Sequence, residues 1–282
     1  MEISIELNKN NHQAAWLDKS HPNYNRWERA RNLSVERGRL VKTFLEKYRT
    51  ITNKKILDIG SGEGGTSSVL SENNFVVSVD LSLLRLQRQK VNFQIKNSVN
   101  SNALKLPFSD SSFDIIILQD VIEHLSDSEN FISEIKRVLK SNGAIYLSTP
   151  NKLSIINILS DPHWGLPLVA VFKRETIRNI FLKNFRKSDM DRKDLAELIS
   201  LSKILKMFSD EFEIRLQTKK VVENLFSNNE GIVWSNFHLS LIRALKKFSL
   251  DKFIIKIAND DFGMINKFFT PTFYLVMERK SI

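Results

Sequence analysis

The chain has 282 residues, 42% of them hydrophobic and 26% charged, the composition of a globular protein long enough to bury a core. It has no cysteine, which excludes disulfides, thiolate metal sites and cysteine nucleophiles and makes a cytoplasmic location the expectation. The net charge of +10 flanks a near-neutral centre: ten Lys/Arg face six Asp/Glu over residues 1–50, ten face eleven over 51–150, and twenty-two face fifteen over 151–282.

Solvated lysine-rich helix faces account for that excess first. An anionic partner accounts for it second: a phosphate-bearing acceptor, nucleic acid or a membrane surface. The first twenty residues lack the basic start and apolar run of a signal peptide. The apolar run "LPLVAVF" at 166–172 is far shorter than the roughly 20 residues a bilayer span needs.

In chain order, "YNRWERARNLSVERGRLVKTFLEKY" (24–48) predicts one or two helices. "KILDI" (55–59) is an apolar run stopped by glycines, the pattern of a buried parallel strand. "TSSVLSE" then predicts a helix, "FVVSVD" (75–80) a strand and "LSLLRLQRQK" (81–90) a helix. A short strand near 95–101 precedes "SFDIIIL" (112–118), the clearest buried strand in the chain. "DSENFISEIKRVLK" (127–140) is amphipathic, with Ser-Asn-Gly as its stop, and "AIYLST" (144–149) is the next strand. After a proline-containing loop come helices near 173–185 and 191–208, a strand over 211–221, a basic amphipathic helix over 239–258 and a strand over 271–279. Strands alternating with helices predict an α/β, Rossmann-like doubly wound sheet of seven strands with helical cap elements. Residues 1–50 are read as an N-terminal helical cap, and 51–282 as one domain with an insert at about 222–270.

The turn "GSGEGG" satisfies G-x-G-x-x-G, a pattern that alone does not choose a cofactor. Asp58, two residues before Gly60, would set negative charge against a pyrophosphate. It suits a cationic cofactor, with Gly60 and Gly62 permitting close backbone approach. Asp80 ends the second strand, at the position from which a carboxylate accepts both ribose hydroxyls. A dehydrogenase is disfavoured by Asp58 and by the lack of Tyr-x-x-x-Lys.

"LDIGSGEG", "VD" at 79–80, "NALKLPFSDSSFDIIILQDVIEHL" at 102–125 and "EIKRVLKSNGAIYLSTPN" at 134–151 together resemble a class I S-adenosylmethionine-dependent methyltransferase. The likeness is to the small-molecule group that includes quinone-biosynthesis enzymes. It implies a last strand antiparallel to the rest and S-adenosyl-L-methionine as cofactor. It also implies that Asp58, Gly60 and Gly62 meet the methionine end, Asp80 and Leu81 the ribose side, and Asn102 and Ala103 the adenine, with Gln119 near the transferring methyl. Asn102 stands where the family often has aspartate, and Ser-Asn-Gly where it has Pro-Gly-Gly.

The amino-methylating signature, Asn/Asp-Pro-Pro-aromatic, is absent; "QDVIEH" stands in its place. O-methylation of a small molecule or a glycan or lipid precursor is the expectation, with nitrogen and carbon acceptors still open. RNA 2′-O-methylation and a catalytically inactive binding protein are the alternatives, though no RNA-binding motif supports the former. His124, after the fourth strand, and His163, in the loop after the fifth, are the candidate bases, because imidazole titrates near neutrality. Each also has a structural reading, as a hydrogen-bonding or loop-packing residue. Asp120-x-x-Glu123-His124 resembles part of a cation-binding Glu-x-x-Glu-His cluster. No second histidine adjoins it in sequence, so catalysis without metal is expected. The basic helix predicts packing on the domain or, through Arg243, Lys246, Lys247 and Lys256, peripheral contact with an anionic membrane. A monomer or homodimer is expected.

Overall fold

The computed structural model describes residues 15–190, 192, 195–227, 233 and 235–280. His12, the start of the N-terminal cap, and residues 228–232 and 234 of the insert lie outside the described residues.

Two helices, α1 (Tyr24–Asn32) and α2 (Ser34–Glu46), precede the sheet. The core then alternates: β1 (Lys55–Ile59), α3 (Gly65–Ser71), β2 (Phe75–Asp80), α4 (Leu83–Phe93), β3 (Ser98–Asn100), β4 (Phe113–Gln119), α5 (Ser128–Val138) and β5 (Leu139–Pro150). Beyond it lie α6 (Ile155–Leu159), α7 (Arg174–Thr176), a π-helical turn (Ile177–Leu182), α8 (Lys183–Phe185), α9 (Leu201–Phe208) and β6 (Phe212–Leu216). The last elements are α10 (Thr218–Ser227), α11 (Asn236–Lys247), α12 (Asp251–Ile257), α13 (Met264–Phe268) and β7 (Thr272–Arg279). The strand order is β3-β2-β1-β4-β5-β7-β6, with β7 antiparallel to both neighbours. The direction of winding reverses between β1 and β4, so the crevice at their carboxyl ends is where such a sheet binds ligands.

Period-two alternation sends side chains to two buried faces, which is why the central strands are apolar throughout. Leu57, Val77, Ile116 and Ile145 pack with Phe131 and Ile135 of α5 and Ile204 and Phe208 of α9. Ile56, Val76, Ile115, Ile117 and Tyr146 pack with Val41, Phe44 and Leu45 of α2 and Val221 of α10.

Four element boundaries differ from the sequence reading. The helix read over 127–140 ends at Val138, because Leu139 turns extended to fill the core beside Phe113, and Ser141-Asn142-Gly143 belong to β5 at an irregular register. The strand read over 211–221 ends at Leu216, and α10 begins at Thr218. Of the helix read over 191–208, the described residues are helical only from Leu201, where Ser200 caps the helix by accepting from the Lys203 N–H. The helix read over 239–258 is two helices broken at Ser249, whose φ is +56°. Among the described residues no helix is long and apolar enough to cross a membrane.

Candidate functional site

The turn after β1 requires glycine on two separate grounds. Gly60 has φ +68°, and a Cβ there would lie 2.5 Å from Val121 Cγ2. Gly62 has φ +57° with open space where a Cβ would stand, so a ligand can approach its backbone. Asp80 holds the turn from β2: its Oδ2 accepts from the Gly62 N–H at 3.0 Å and its Oδ1 from the Ser82 N–H at 2.8 Å. Arg85 Nη1 lies 3.9 Å from Oδ2. A carboxylate oxygen has more than one acceptor direction, so the pair suits a vicinal diol. Leu81 is 76% exposed, an apolar ledge next to the acid. Asn102 is exposed and its Oδ1 accepts from the Leu104 N–H at 2.9 Å, which fixes the amide plane next to the half-buried Ala103. The sequence reading missed Gln89, whose amide clamps the turn from α4 by donating to Ser61 Oγ and to the Gly62 carbonyl, both at 2.7 Å.

Asp58 stands behind this turn rather than open to it. Its carboxylate is buried and accepts from Ser67 Oγ at 2.6 Å, and Ser67 Oγ also bonds Ser78 Oγ at 2.7 Å. Burial pushes its carboxyl up to about 7, against the Ser67 hydrogen bond and with a further push from the charge of Asp80. A cation in the turn would meet Asp58 as a buried charge behind the backbone, and would favour its ionised form. A dinucleotide pyrophosphate would meet two acids. The residues present thus fit S-adenosylmethionine: a diol acceptor pair, an apolar ledge, open space over Gly62 and an acid behind it.

At the end of β4, Gln119 Oε1 accepts from Thr66 Oγ1 of α3 at 2.7 Å. Asp120 follows with φ +56°, unusual for a residue with a side chain. Its carboxylate pairs with Arg37 of α2 and accepts from Ser148 Oγ at 3.1 Å, so Asp120 is committed to a structural strap. Glu123 is fully buried; its Oε2 accepts from Thr149 Oγ1 at 2.9 Å and its Oε1 lies 4.0 Å from His163 Nε2. Burial, reinforced by the nearby Asp120 charge, holds the Glu123 carboxyl well above the usual carboxylate range.

His124 and His163 meet edge to face, ring centroids 5.2 Å apart. The loop carrying His163 is fixed by Asp161, whose Oδ1 accepts from the N–H of His163 (2.8 Å) and of Trp164 (2.9 Å). Arg26 of α1 anchors the same loop through the carbonyls of Asp161 and Pro162, both at 3.1 Å. The absence of a second histidine beside His124 holds in sequence only, since the fold supplies His163. Ligand atoms of Glu123, His124 and His163 all lie within 4.8 Å of one another, a carboxylate–imidazole set that could hold a divalent cation; Asp120 is not part of it. Of the other described histidines, His21 is buried against Asp189 at 3.2 Å, and burial pushes His238 down to about 4. A separate cavity of about 300 Å³ beside the turn is lined by Arg31, Glu63 and Arg88 among others, and none of the acids or histidines above borders it.

Comparison with known proteins bears on the family and the fold. Residues 57–147 match the family described as "Methyltransferase domain". A probable S-adenosylmethionine-dependent methyltransferase of Mycobacterium tuberculosis is 31% identical over 104 residues, 36% of this chain and 38% of that protein. A ubiquinone biosynthesis O-methyltransferase of Pelagibacter ubique is 31% identical over 114 residues, 37% of this chain and 45% of that one. The chain therefore spans less than half the length of either relative. The crystal structure of a Thermotoga maritima S-adenosylmethionine-dependent methyltransferase, described as a possible histamine N-methyltransferase, has the same fold. Its TM-score is 0.53 at 16% identity, over 92% of this chain and 97% of that one.

Proposed function

We propose that this chain, whose residues 57–147 belong to the class I S-adenosylmethionine-dependent methyltransferases, methylates an oxygen atom of a small-molecule acceptor. When bound, the cofactor supplies an electrophilic methyl on its sulfonium. The remaining work is alignment and proton removal. The observation that carries the reading is the imidazole pair of His124 and His163, beside buried Glu123 at the carboxyl ends of β4 and β5. One imidazole takes the acceptor hydroxyl's proton, and the imidazolium that results draws Glu123, whose Oε1 lies 4.0 Å from His163 Nε2, towards its ionised form. Gln119, held by Thr66, borders the same crevice. The O-methyltransferase among the relatives supports an oxygen acceptor.

A second reading rests on the 4.8 Å cluster of Glu123, His124 and His163, which could instead hold a cation that polarises the acceptor oxygen. Labelled S-adenosylmethionine offered with panels of phenols, aliphatic alcohols, amines and RNA, with and without chelator, tests both. Label on hydroxyl acceptors, insensitive to chelator, is the expected result. Chelator-sensitive transfer restored by a cation selects the metal reading; label on amines alone, or on RNA, overturns the small-molecule oxygen acceptor.

A further inference from the structure

Between β6 and β7 the chain carries its most unusual surface. Phe248 is 69% exposed, Leu250 46%, Phe253 59% and Ile257 38%, four large apolar side chains within ten residues. Met264 and Phe269 continue the exposure at α13. The apolar stripe of the basic helix expected to pack on the domain, Leu241, Ile242, Leu245 and Phe253, divides: Ile242 is buried, Leu241 and Leu245 are half-buried, and Phe253 faces solvent. The opposite side of α12 is the packed one, with Ile254 and Ile255 half-buried, Ala258 buried and α10 as the neighbour.

Phe253 and Ile257 are four residues apart and share one helix face, while Lys252 and Lys256 each precede one of them and flank that face. Residues 243–257 hold five Lys/Arg against one Asp, and Lys246, Lys247, Lys252 and Lys256 are all exposed. A partner protein core would leave these ammonium groups to be desolvated. A bilayer interface would not, since lysine stems lie along apolar surface while their heads stay at the phosphates. The bend at Ser249 presents Phe248 and Leu250 at the junction between the two helices.

We infer that the α11–α12 corner is a docking surface for an anionic membrane, with Phe248, Leu250, Phe253 and Ile257 entering the headgroup boundary and the four lysines engaging lipid phosphates. This does not depend on the identity of the methyl acceptor.

Flotation of the full chain with phosphatidylcholine vesicles, with and without phosphatidylglycerol, tests it. Co-flotation with the anionic vesicles, lost at high salt, is expected. The Phe248→Ser/Phe253→Ser variant should stay at the bottom of the gradient while keeping the parent's thermal melt, because both side chains are exposed. Neutralising Lys252 and Lys256 to Gln should weaken partitioning by about fivefold for each lysine. Phe253→Trp should shift its emission to the blue on anionic vesicles. The inference fails if neither composition floats the protein, if the double-serine variant floats as well as the parent, or if binding ignores salt. It also fails if sedimentation shows a dimer that Phe253→Ser dissociates, which would make a second copy the occupant.

Discussion

Burial and charge conflict most directly at Asp58, which closes an apolar strand inside the sheet yet sits behind a turn suited to a cation. With the folded carboxyl raised from 3.8 to about 7, the native state keeps a proton that the unfolded chain releases above about pH 4. The stability this confers is therefore full below about pH 4 and lost as pH rises through about 7, at most about 4 kcal/mol across that window. Asp58→Asn should flatten the stability–pH curve between about pH 4 and about pH 7 in denaturant titrations. Cofactor affinity should run the opposite way. A cationic ligand favours the carboxylate, so binding should weaken as pH falls below about 7, by up to about tenfold per unit. Calorimetry giving the same affinity at about pH 8 and about pH 6 would remove Asp58 as the charge partner. The imidazoles invite the complementary test, since His163→Ala should lower turnover about 10²–10⁴-fold with cofactor affinity unchanged, while full activity would leave His163 as loop packing. Asp58, Asp80 and both histidines were legible because each ends or follows an apolar run at a strand's carboxyl end. Their partners were not. Whether Asp58 faces the turn or the interior is decided by Ser67 and Ser78 across the layer, and Gln89 reaches the turn from a helix whose sequence marks nothing special at that position.

Among elements, the strap from α2 to β4 does the most to shape the site. Arg37 reaches Asp120, and Asp120 also takes Ser148 of β5, so one helix and two strand ends are fixed around a residue with positive φ. Removing the cation leaves a carboxylate only 17% exposed without its countercharge. Arg37→Met should cost about 3 kcal/mol, the lower end for a buried pair because both side chains keep some solvent contact. Arg37→Met/Asp120→Asn should recover part of that, since no unpaired charge remains. A single substitution costing under about 1 kcal/mol in urea titration would show the pair to be surface-like. The sequence pattern placed all seven strands, the central ones most clearly because they are apolar runs bounded by turn residues. It placed helix ends less well. Leu139 leaves its helix to fill a core position, and Ser249 breaks a helix whose hydrophobic spacing runs on unbroken, and both outcomes depend on neighbours remote in sequence.

Across the whole molecule, the proposed function puts its two tasks, cofactor binding and acceptor binding, on opposite sides of the switch between β1 and β4. The turn, Asp80, Leu81 and Asn102 lie on the β1–β3 side, while Glu123, His124 and His163 gather at the ends of β4 and β5. Neither set exists in the unfolded chain, so a ligand of either stabilises the fold by mass action. S-adenosylmethionine at about one hundred times its dissociation constant should add about 2.7 kcal/mol. For a domain of this size that corresponds to a rise in Tm of several degrees, about 2–4 °C per kcal/mol. NAD at the same concentration should leave Tm unchanged. Asp80→Ala removes both diol acceptors and the tie to the Gly62 N–H, so its loss of about 1.5–3 kcal/mol of affinity should erase most of the shift. His124→Ala, on the other side of the switch, should keep the whole shift while losing turnover. If His124→Ala abolished the thermal shift instead, the imidazole pair would belong to the cofactor's own site, and the division of the crevice into a cofactor side and an acceptor side would be wrong.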